Sequence, residues 1–298
     1  EHLIYQARPL DCALFQYYFE HGTLEKVLSE LAQYQNSDGG FGNALEPDIR
    51  SPSSSALATE IALRILVELG VSSHNPLVVS AISYLLKTLH PETNTWRVVP
   101  RDVNEYPHAP WWHDEAGSLA KTFSDFKVIP RAGILAALHH FPIQLPGGWL
   151  NKLTKSTISD LLEMELDSFS GGGDAVVYAQ RLAEAPGLSR EIQTKLSDRI
   201  CRIADHIVTR DEASWSQYSA APLKLAPTPK NIVADTLADC LPANLNFLVE
   251  SQNTEGFWDV TWSWKDYPKD WEIARSEWRG ILTLEALLSL RAYSRIDT

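Results

Sequence analysis

A short acidic loop carries the residues whose types and spacing best fit acid–base chemistry. It reads Glu46-Pro47-Asp48-Ile49-Arg50. Two nearby carboxyl groups beside an arginine can have different pKa values, so that one stays protonated while the other is ionised. Such a pair can donate a proton to an alkene or to a glycosidic oxygen, and Pro47 stiffens the loop. We predict that Glu46 and Asp48 are catalytic and that Arg50 binds substrate. The alternative is a surface loop whose carboxylates cap a helix or pair with Arg50.

A second candidate group lies in a proline-anchored loop, residues 108–115, which reads His-Ala-Pro-Trp-Trp-His-Asp-Glu. Adjacent tryptophans are costly to leave in water, so we expect them to roof a cavity or stack on a ligand. The histidines and carboxylates could also hold a metal, or the loop could pack on the helices. We assign His108, Trp111 and Trp112 to substrate binding and assign no residue to a metal.

Five of the ten tryptophans fall in a third segment, residues 253–278. Trp262 and Trp264 are two residues apart, which places both indoles on one side of an extended segment. Indole faces stabilise cations and stack on sugar rings, so we predict that these two line a pocket. Trp258 and Trp278 are predicted instead to pack between helices.

Two further motifs are weaker candidates. Gly171-Gly172-Gly173-Asp174 precedes a helix and could hold an anion, but it lacks the Gly-Lys-Ser/Thr end of a phosphate loop, which favours a hinge. Asp239-Cys240 lacks the spacing of a zinc site. Neither motif therefore enters the predicted site.

Composition excludes several classes of function. Asp and Glu number 38 against 26 Lys and Arg, for a net charge of −12, and no basic stripe is present, which disfavours nucleic-acid binding. No apolar run approaches the roughly 18–20 residues of a membrane span. The three cysteines form no Cys-x-x-Cys pair, which favours a reducing compartment, and we expect the cytoplasm. The expected partner is a small hydrophobic substrate, and the oligomeric state stays open.

The positioning elements are predicted to be helices. Apolar residues recur with the helical period and no segment alternates convincingly as a strand, so the predicted class is all-α. No Ser/Gly-rich stretch divides the chain, so residues 1–298 are predicted to form one domain. Long loops rich in proline and tryptophan connect the helices, and such loops are usually functional. The predicted helices are 24–31, 57–69, 77–89, 134–140, 157–166, 175–185, 192–207, 232–249 and 281–293.

Two turns near opposite ends of the chain share the pattern Gln-Asn-x-acid-Gly-x-aromatic. One runs from Gln35 to Phe41 and the other from Gln252 to Trp258, and each lies between two apolar helices. The glutamine amide is expected to bind the next helix, the glycine to supply the turn, and the aromatic ring to stack across the junction. Repeats at both ends predict a closed ring of helical hairpins, with the last packed on the first.

These turns carry a resemblance to known families. Residues 247–258 resemble the QW repeat of squalene-hopene and oxidosqualene cyclases, and residues 34–42 are similar to the Gly-Gly-Phe-Gly repeat of protein prenyltransferase β subunits. Both families are α/α toroids with a central cavity, so the resemblance implies that fold. Their Asp-x-Asp-Asp, Asp-Asp-x-x-Asp and zinc-ligand patterns are absent here. Because these motifs are absent, any activity must use a different acid or base. Toroids also host several chemistries, so the fold alone does not give the reaction.

The leading hypothesis is a terpene-cyclase-like enzyme. Glu46 or Asp48 would protonate an isoprenoid or polyene, and four tryptophans, Trp111, Trp112, Trp262 and Trp264, would stabilise cationic intermediates. No cofactor is expected, unless a diphosphate substrate brings magnesium. A carbohydrate-active hydrolase or lyase is the alternative, and it predicts an open, wet groove with carboxylates on its floor. A non-catalytic binder predicts a shallow aromatic surface without converging acids.

Overall fold

The computed structural model describes residues 6–123, 126–141, 148–169 and 171–296. Over these ranges the chain forms twelve α-helices, joined by turns and short 3₁₀ segments, and no strand, so the predicted all-α class is confirmed. None of these helices combines the length and apolar character needed to cross a bilayer. The helices are α1 Pro9–Phe19, α2 Leu24–Ala32, α3 Ala56–Glu68, α4 Pro76–Thr88, α5 Ser118–Thr122, α6 Arg131–His140, α7 Trp149–Glu163, α8 Asp174–Ala183, α9 Arg190–Ile207, α10 Pro222–Leu225, α11 Leu241–Glu250 and α12 Pro268–Ala292.

Capping residues fix several helix starts where the sequence predicts them. The Ser55 side chain accepts a hydrogen bond from the backbone N–H of Ala58 at the start of α3. Asn75 does the same for Leu77 just before α4, whose first residue is a proline. These caps satisfy N–H groups that have no partner within the helix. The start of α3 follows the acidic loop closely in the chain.

Three predicted helix starts are wrong by several residues. The helix predicted over 157–166 is α7, which begins at Trp149 and ends at Glu163. Residues 232–240 form turns, and α11 begins only at Leu241. Pro242 fits the first turn of a helix, where its missing N–H needs no partner, but it would break a helix that began ten residues earlier. In contrast, α12 begins at Pro268 rather than near residue 281. Its buried residues Trp271 and Ala274 are three apart, a helical spacing that the many neighbouring charges and aromatics obscure.

Helix packing joins neighbours in pairs and then joins the pairs to one another. The sequential pairs α1 and α2, α3 and α4, α6 and α7, α8 and α9, and α10 and α11 are each in contact. Alternate helices also pack together, α3 on α6, α6 on α8 and α8 on α10. The last helix, α12, packs on the first, α1, so the chain returns to its starting helix.

The two Gln-Gly turns make the same hydrogen bonds. In each, the glutamine amide donates to the glycine carbonyl, and the backbone N–H of the aromatic residue donates to a threonine hydroxyl in the following helix. The distances are 2.9 Å for Gln35 to Gly39, 3.2 Å for Gln252 to Gly256, 3.0 Å for Phe41 to Thr59 and 3.2 Å for Trp258 to Thr283. The first turn is thereby tied to the first turn of α3, and the second to the middle of α12.

A small apolar cluster joins the candidate loops. It is separate from the main core, which extends from Leu10 in α1 to Leu290 in α12. The small cluster contains Ile49 of the acidic loop, Trp112 of the second loop, and Trp264 just before α12. It therefore holds all three sequence-predicted segments against one another.

Candidate active site

The acidic loop is fixed on two sides. Its backbone pairs with the second loop, because Ala109 N–H donates to the Asp48 carbonyl at 2.9 Å and Arg50 N–H donates to the Pro107 carbonyl at 3.0 Å. The Arg50 guanidinium donates to both carboxyl oxygens of Glu277 in α12, at 2.5 and 3.2 Å. The loop therefore lies between the second loop and α12, and Arg50 is engaged by Glu277.

Asp48 is buried and accepts two indole hydrogen bonds. Its side chain is 3% exposed, and its Oδ1 accepts from Trp278 Nε1 at 2.8 Å and from Trp264 Nε1 at 3.1 Å. Burial raises the pKa of Asp48 to about 6, and the indole donors and the charge of Arg50 limit that rise. Hydrogen bonds to the ionised form favour it, so Asp48 is held as a carboxylate at neutral pH. The indole N–H of Trp262 is a third donor near this carboxyl group, and it also opposes the rise in pKa.

Glu46 is the second carboxyl group of the pair, and its pKa is also raised. Its side chain is 8% exposed, and no side chain within the described ranges donates a hydrogen bond to its carboxyl group. Burial and then the charge of Asp48 raise the pKa of Glu46 well above its ordinary value. Two neighbouring carboxyl groups in different surroundings thus divide into an acid and a base. The sequence alone leaves open which residue is the acid.

Aromatic rings extend from Asp48 along one wall. Trp262 packs edge-on against Trp278, with ring centres 5.2 Å apart, and Tyr218 packs edge-on against Trp262 at 5.9 Å. Tyr218 is 50% exposed, and its hydroxyl donates to Asp174. Lys224 lies 2.9 Å from Asp174 and over the Tyr218 ring. The wall therefore offers exposed aromatic surface next to the acid pair.

The second loop lies beside the acid pair, but its side chains have other partners. His108 is buried, and its Nε2 lies 3.1 Å from Nδ1 of the stacked His113 ring. Trp112 is buried and stacks on Phe123. Trp111 is 39% exposed. The structure thus brings Glu46, Asp48, Trp262 and Trp264 together, while the predicted ligand contacts of His108, Trp111, Trp112 and Arg50 stay predictions.

Several residues of the site were not predicted from the sequence. The sequence predicts that Trp278 packs between helices, yet its indole donates a hydrogen bond to Asp48. Because the predicted helix begins near residue 281, after Trp278, the sequence does not show which face of α12 carries this side chain. Tyr218 and Asp174 come from two other connections, and only the fold brings them together. The glycine run before Asp174 is the sequence signal for this part of the site. In the structure Gly172 has a φ of +88°, and a Cβ there would overlap the Tyr218 ring.

A group of charged side chains continues inward from the acid pair. We call it the interior recess and define it by Glu60, Arg64, Tyr178, Arg181, Lys224 and Glu285. Glu285 is exposed to water, yet burial is the largest cause that raises its pKa, with Arg64, Arg181 and Lys224 among the nearby charges. The group is therefore charged, and its members come from α3, α8, α10 and α12.

Tyr178 connects the recess to the acid pair. Burial raises the pKa of Tyr178 well above its ordinary value, and the charges of Glu60 and Glu46 add to that rise. Tyr178 therefore lies within electrostatic range of both groups.

Within the described ranges, no three His, Cys, Asp or Glu side chains come together as a metal site.

Comparison with known proteins gives no family for this chain. No protein-family model matches it, and a search of curated proteins finds no match.

Proposed function

We propose that the protein is a carbohydrate-active enzyme that cleaves a glycosidic bond by general acid–base catalysis. The observation that carries this proposal is the Glu46–Asp48 pair, in which burial raises the pKa of Glu46 well above its ordinary value and that of Asp48 to about 6, while Asp48 accepts a hydrogen bond from the Trp278 indole. Both carboxyl groups are buried and are not exposed on the floor of an open groove. Glu46 donates its proton to the glycosidic oxygen. Asp48 stabilises the positive charge that develops on the sugar ring, or acts as nucleophile or base on the opposite side.

The fold proposed for this enzyme is a single α/α toroid over residues 1–298. Contacts between alternate helices α3, α6, α8 and α10, together with the return of α12 to α1, support an inner ring. The sequential partners α2, α4, α7, α9 and α11 would then form the outer ring. The interior recess is lined from α3, α8, α10 and α12, which are all members of the proposed inner ring.

Two physical arguments favour a sugar over a polyene. Charged side chains lie near the acid pair, among them Glu60, Arg64 and Arg181, and a hydrocarbon placed there would remove their water without offering hydrogen bonds. Protonation of an alkene also needs a strong acid, whereas burial and the neighbouring Asp48 make Glu46 a weak one. A carboxyl group with a raised pKa suits proton transfer to a glycosidic oxygen near neutral pH.

A terpene-cyclase-like activity is the second candidate. It is supported by the indole wall of Trp262 and Trp278 next to the acid pair, since indole faces stabilise carbocations. The similar hydrogen bonds in the two Gln-Gly turns also fit the resemblance to cyclase repeats. Magnesium would enter only with a diphosphate substrate.

The test uses Glu46→Gln and Asp48→Asn, with Glu92→Gln as a matched control at an exposed position. Wild-type protein is incubated with a panel of oligosaccharides and aryl glycosides, and in parallel with polyenes and isoprenoid diphosphates plus magnesium. We expect new reducing ends from a sugar, with a loss of about 100-fold or more in each site variant and none in the control. Isoprenoid products with no sugar cleavage would support the second candidate and reject the first.

A further inference from the structure

Tyr218 is a large aromatic side chain that is fixed in place and yet half exposed to water. It lies in the connection between α9 and α10, and it is 50% exposed. Its ring lies against Gly172, where a Cβ would be 2.4 Å from it, and packs edge-on with Trp262 at 5.9 Å. A ring that is already held by its neighbours loses little freedom when a ligand stacks on it.

Two charged groups border this ring. The Tyr218 hydroxyl donates to Asp174 at the start of α8, and Lys224 of α10 lies 2.9 Å from the same carboxylate. The Lys224 ammonium group also lies 4.4 Å from the centre of the Tyr218 ring. The side chains of Asp174 and Lys224 are 42% and 29% exposed, so both still reach water. The group therefore offers an aromatic surface together with hydrogen-bond donors and acceptors.

Ring contacts connect this group to the acid pair. Trp262 lies between Tyr218 and Trp278, with ring centres 5.9 and 5.2 Å apart, and the Trp278 indole donates to Asp48. Two ring contacts thus separate Tyr218 from the indole that holds the carboxyl group. A ligand unit on Tyr218 is therefore not the unit whose bond lies at the acid pair, but both can belong to one chain.

We propose that Tyr218, Asp174 and Lys224 form a second subsite, which binds a further neutral sugar unit of the same substrate chain. The sugar packs against the exposed part of the Tyr218 ring, and its hydroxyl groups bond to Asp174 and Lys224. Because these two charges pair with each other, neither is left over for a uronate or a phosphorylated sugar. The preferred substrate is therefore a chain of neutral sugars rather than a single glycoside.

This inference rests on the proposed carbohydrate function for the class of ligand, and binding alone tests it. Calorimetry in a Glu46→Gln background, which prevents cleavage, measures affinity for dimers and tetramers of β-1,4-linked glucose, xylose, mannose and N-acetylglucosamine, and for a galacturonate tetramer. We expect a neutral tetramer to bind most tightly and more tightly than its own dimer. Adding Tyr218→Ala should lower the tetramer-to-dimer ratio of affinities about tenfold, whereas Tyr218→Phe keeps the ring and should stay within about threefold of the parent.

The ion pair is tested with a matched control. Lys195 pairs with Glu191 at 2.8 Å on the exposed surface of α9, much as Lys224 pairs with Asp174. Lys224→Met should weaken the tetramer about threefold or more, and Lys195→Met should leave it unchanged. Thermal unfolding checks that each variant is folded.

The outcomes separate the subsite from the proposed reaction. Equal affinity for dimers and tetramers, no binding of any neutral tetramer, tightest binding of galacturonate, or an unchanged ratio in Tyr218→Ala would overturn the subsite. A ratio that depends on Tyr218, without cleavage of any sugar by wild-type protein, would support the subsite and reject the proposed hydrolysis. Tetramer cleavage that Tyr218→Ala leaves unchanged would support the hydrolysis and reject the subsite.

Discussion

At the scale of single residues, Glu46 and Asp48 differ because their partners differ. Asp48 receives two indole N–H groups, whereas the carboxyl group of Glu46 receives no side-chain donor in the described structure. Desolvation raises both pKa values. A backbone hydrogen bond from Asp48 and the charge of Arg8 oppose the rise at Glu46, whereas indole donors and Arg50 oppose it at Asp48. Two acids that are two residues apart in the chain can therefore take opposite roles in one reaction.

The first residue-scale prediction concerns the pH dependence of catalysis. Activity requires Asp48 ionised and Glu46 protonated, so we expect a bell-shaped profile of kcat/KM. Its acidic limb should fall near the pKa of about 6 for Asp48, and its alkaline limb should lie higher, where Glu46 loses its proton. Asp48→Asn should remove the acidic limb from the residual activity. A profile that rises steadily through alkaline pH would contradict the assignment of Glu46 as acid.

The second residue-scale prediction concerns stability. Asp48 is protonated up to about pH 6 in the folded chain, but it ionises near 3.8 when unfolded. Between these values the folded state binds more protons, so this group lowers the free energy of unfolding as pH rises. Asp48→Asn removes that effect and should be more stable than wild type by about 1–3 kcal/mol at about pH 8, but not at about pH 4. Urea unfolding at both pH values measures the difference, and an equal change at both would refute it.

At the scale of elements, two tight turns tie the segments between helices to the long helices that follow them. The two Gln-Gly turns share their hydrogen bonds, and both place a glycine at positive φ, +92° at Gly39 and +86° at Gly256. Tryptophan indoles also tie the segments after several helices back to them. Trp96 donates to the Leu85 carbonyl at 2.8 Å, and Trp258 donates to the Leu248 carbonyl at 2.7 Å. The site loops begin from these fixed points.

The two glycines offer a matched test of the turns. A Cβ at Gly39 would lie 2.4 Å from the Ser80 carbonyl oxygen, whereas a Cβ at Gly256 meets nothing within 4 Å. Gly256→Ala should therefore cost about 1 kcal/mol for its positive φ alone. Gly39→Ala adds a backbone clash and should cost about 2 kcal/mol more. Urea unfolding of both variants measures this difference, and equal losses would show that the close approach to Ser80 is unimportant.

At the scale of the whole molecule, the contact between α12 and α1 brings the two ends of the chain together. Gly280 lies at this contact, where a Cβ would lie 2.9 Å from Ala7 Cβ and 3.0 Å from Asp11 Oδ2. Asp11 in turn pairs with Arg8, which donates to the Leu45 carbonyl just before Glu46. The packing of α12 on α1 therefore lies next to Arg8, which is bonded to the backbone that precedes the acidic loop.

Gly280→Val tests the role of this contact. The added side chain should separate α12 from α1 and lower the free energy of unfolding by about 1–3 kcal/mol. Ser156→Val, exposed on α7 and away from this contact, is the control for helix propensity. Limited proteolysis should also cut the segment before α2 faster in Gly280→Val than in the control. Unchanged stability and proteolysis would show that the two helices are not energetically coupled.

The sequence alone determines the all-α class, many helix starts and the acidic loop, because these depend on local signals. Apolar period, capping side chains such as Ser55, and the glycine turns act within a few residues. The spacing of Trp262 and Trp264 predicts that both line a pocket, which stays a prediction, and their approach to Asp48 depends on the tertiary structure.

Only the tertiary structure decides which carboxyl group is the acid and what surrounds it. Asp48 is held ionised by Trp278, which is 230 positions away, and the recess joins Arg64 of α3 to Glu285 of α12. Burial and long-range electrostatic contacts set a pKa, and neither is encoded in a local pattern. The two carboxyl groups of the loop are therefore visible in the sequence. Which of them keeps its proton to higher pH depends on helices that meet only when the chain folds.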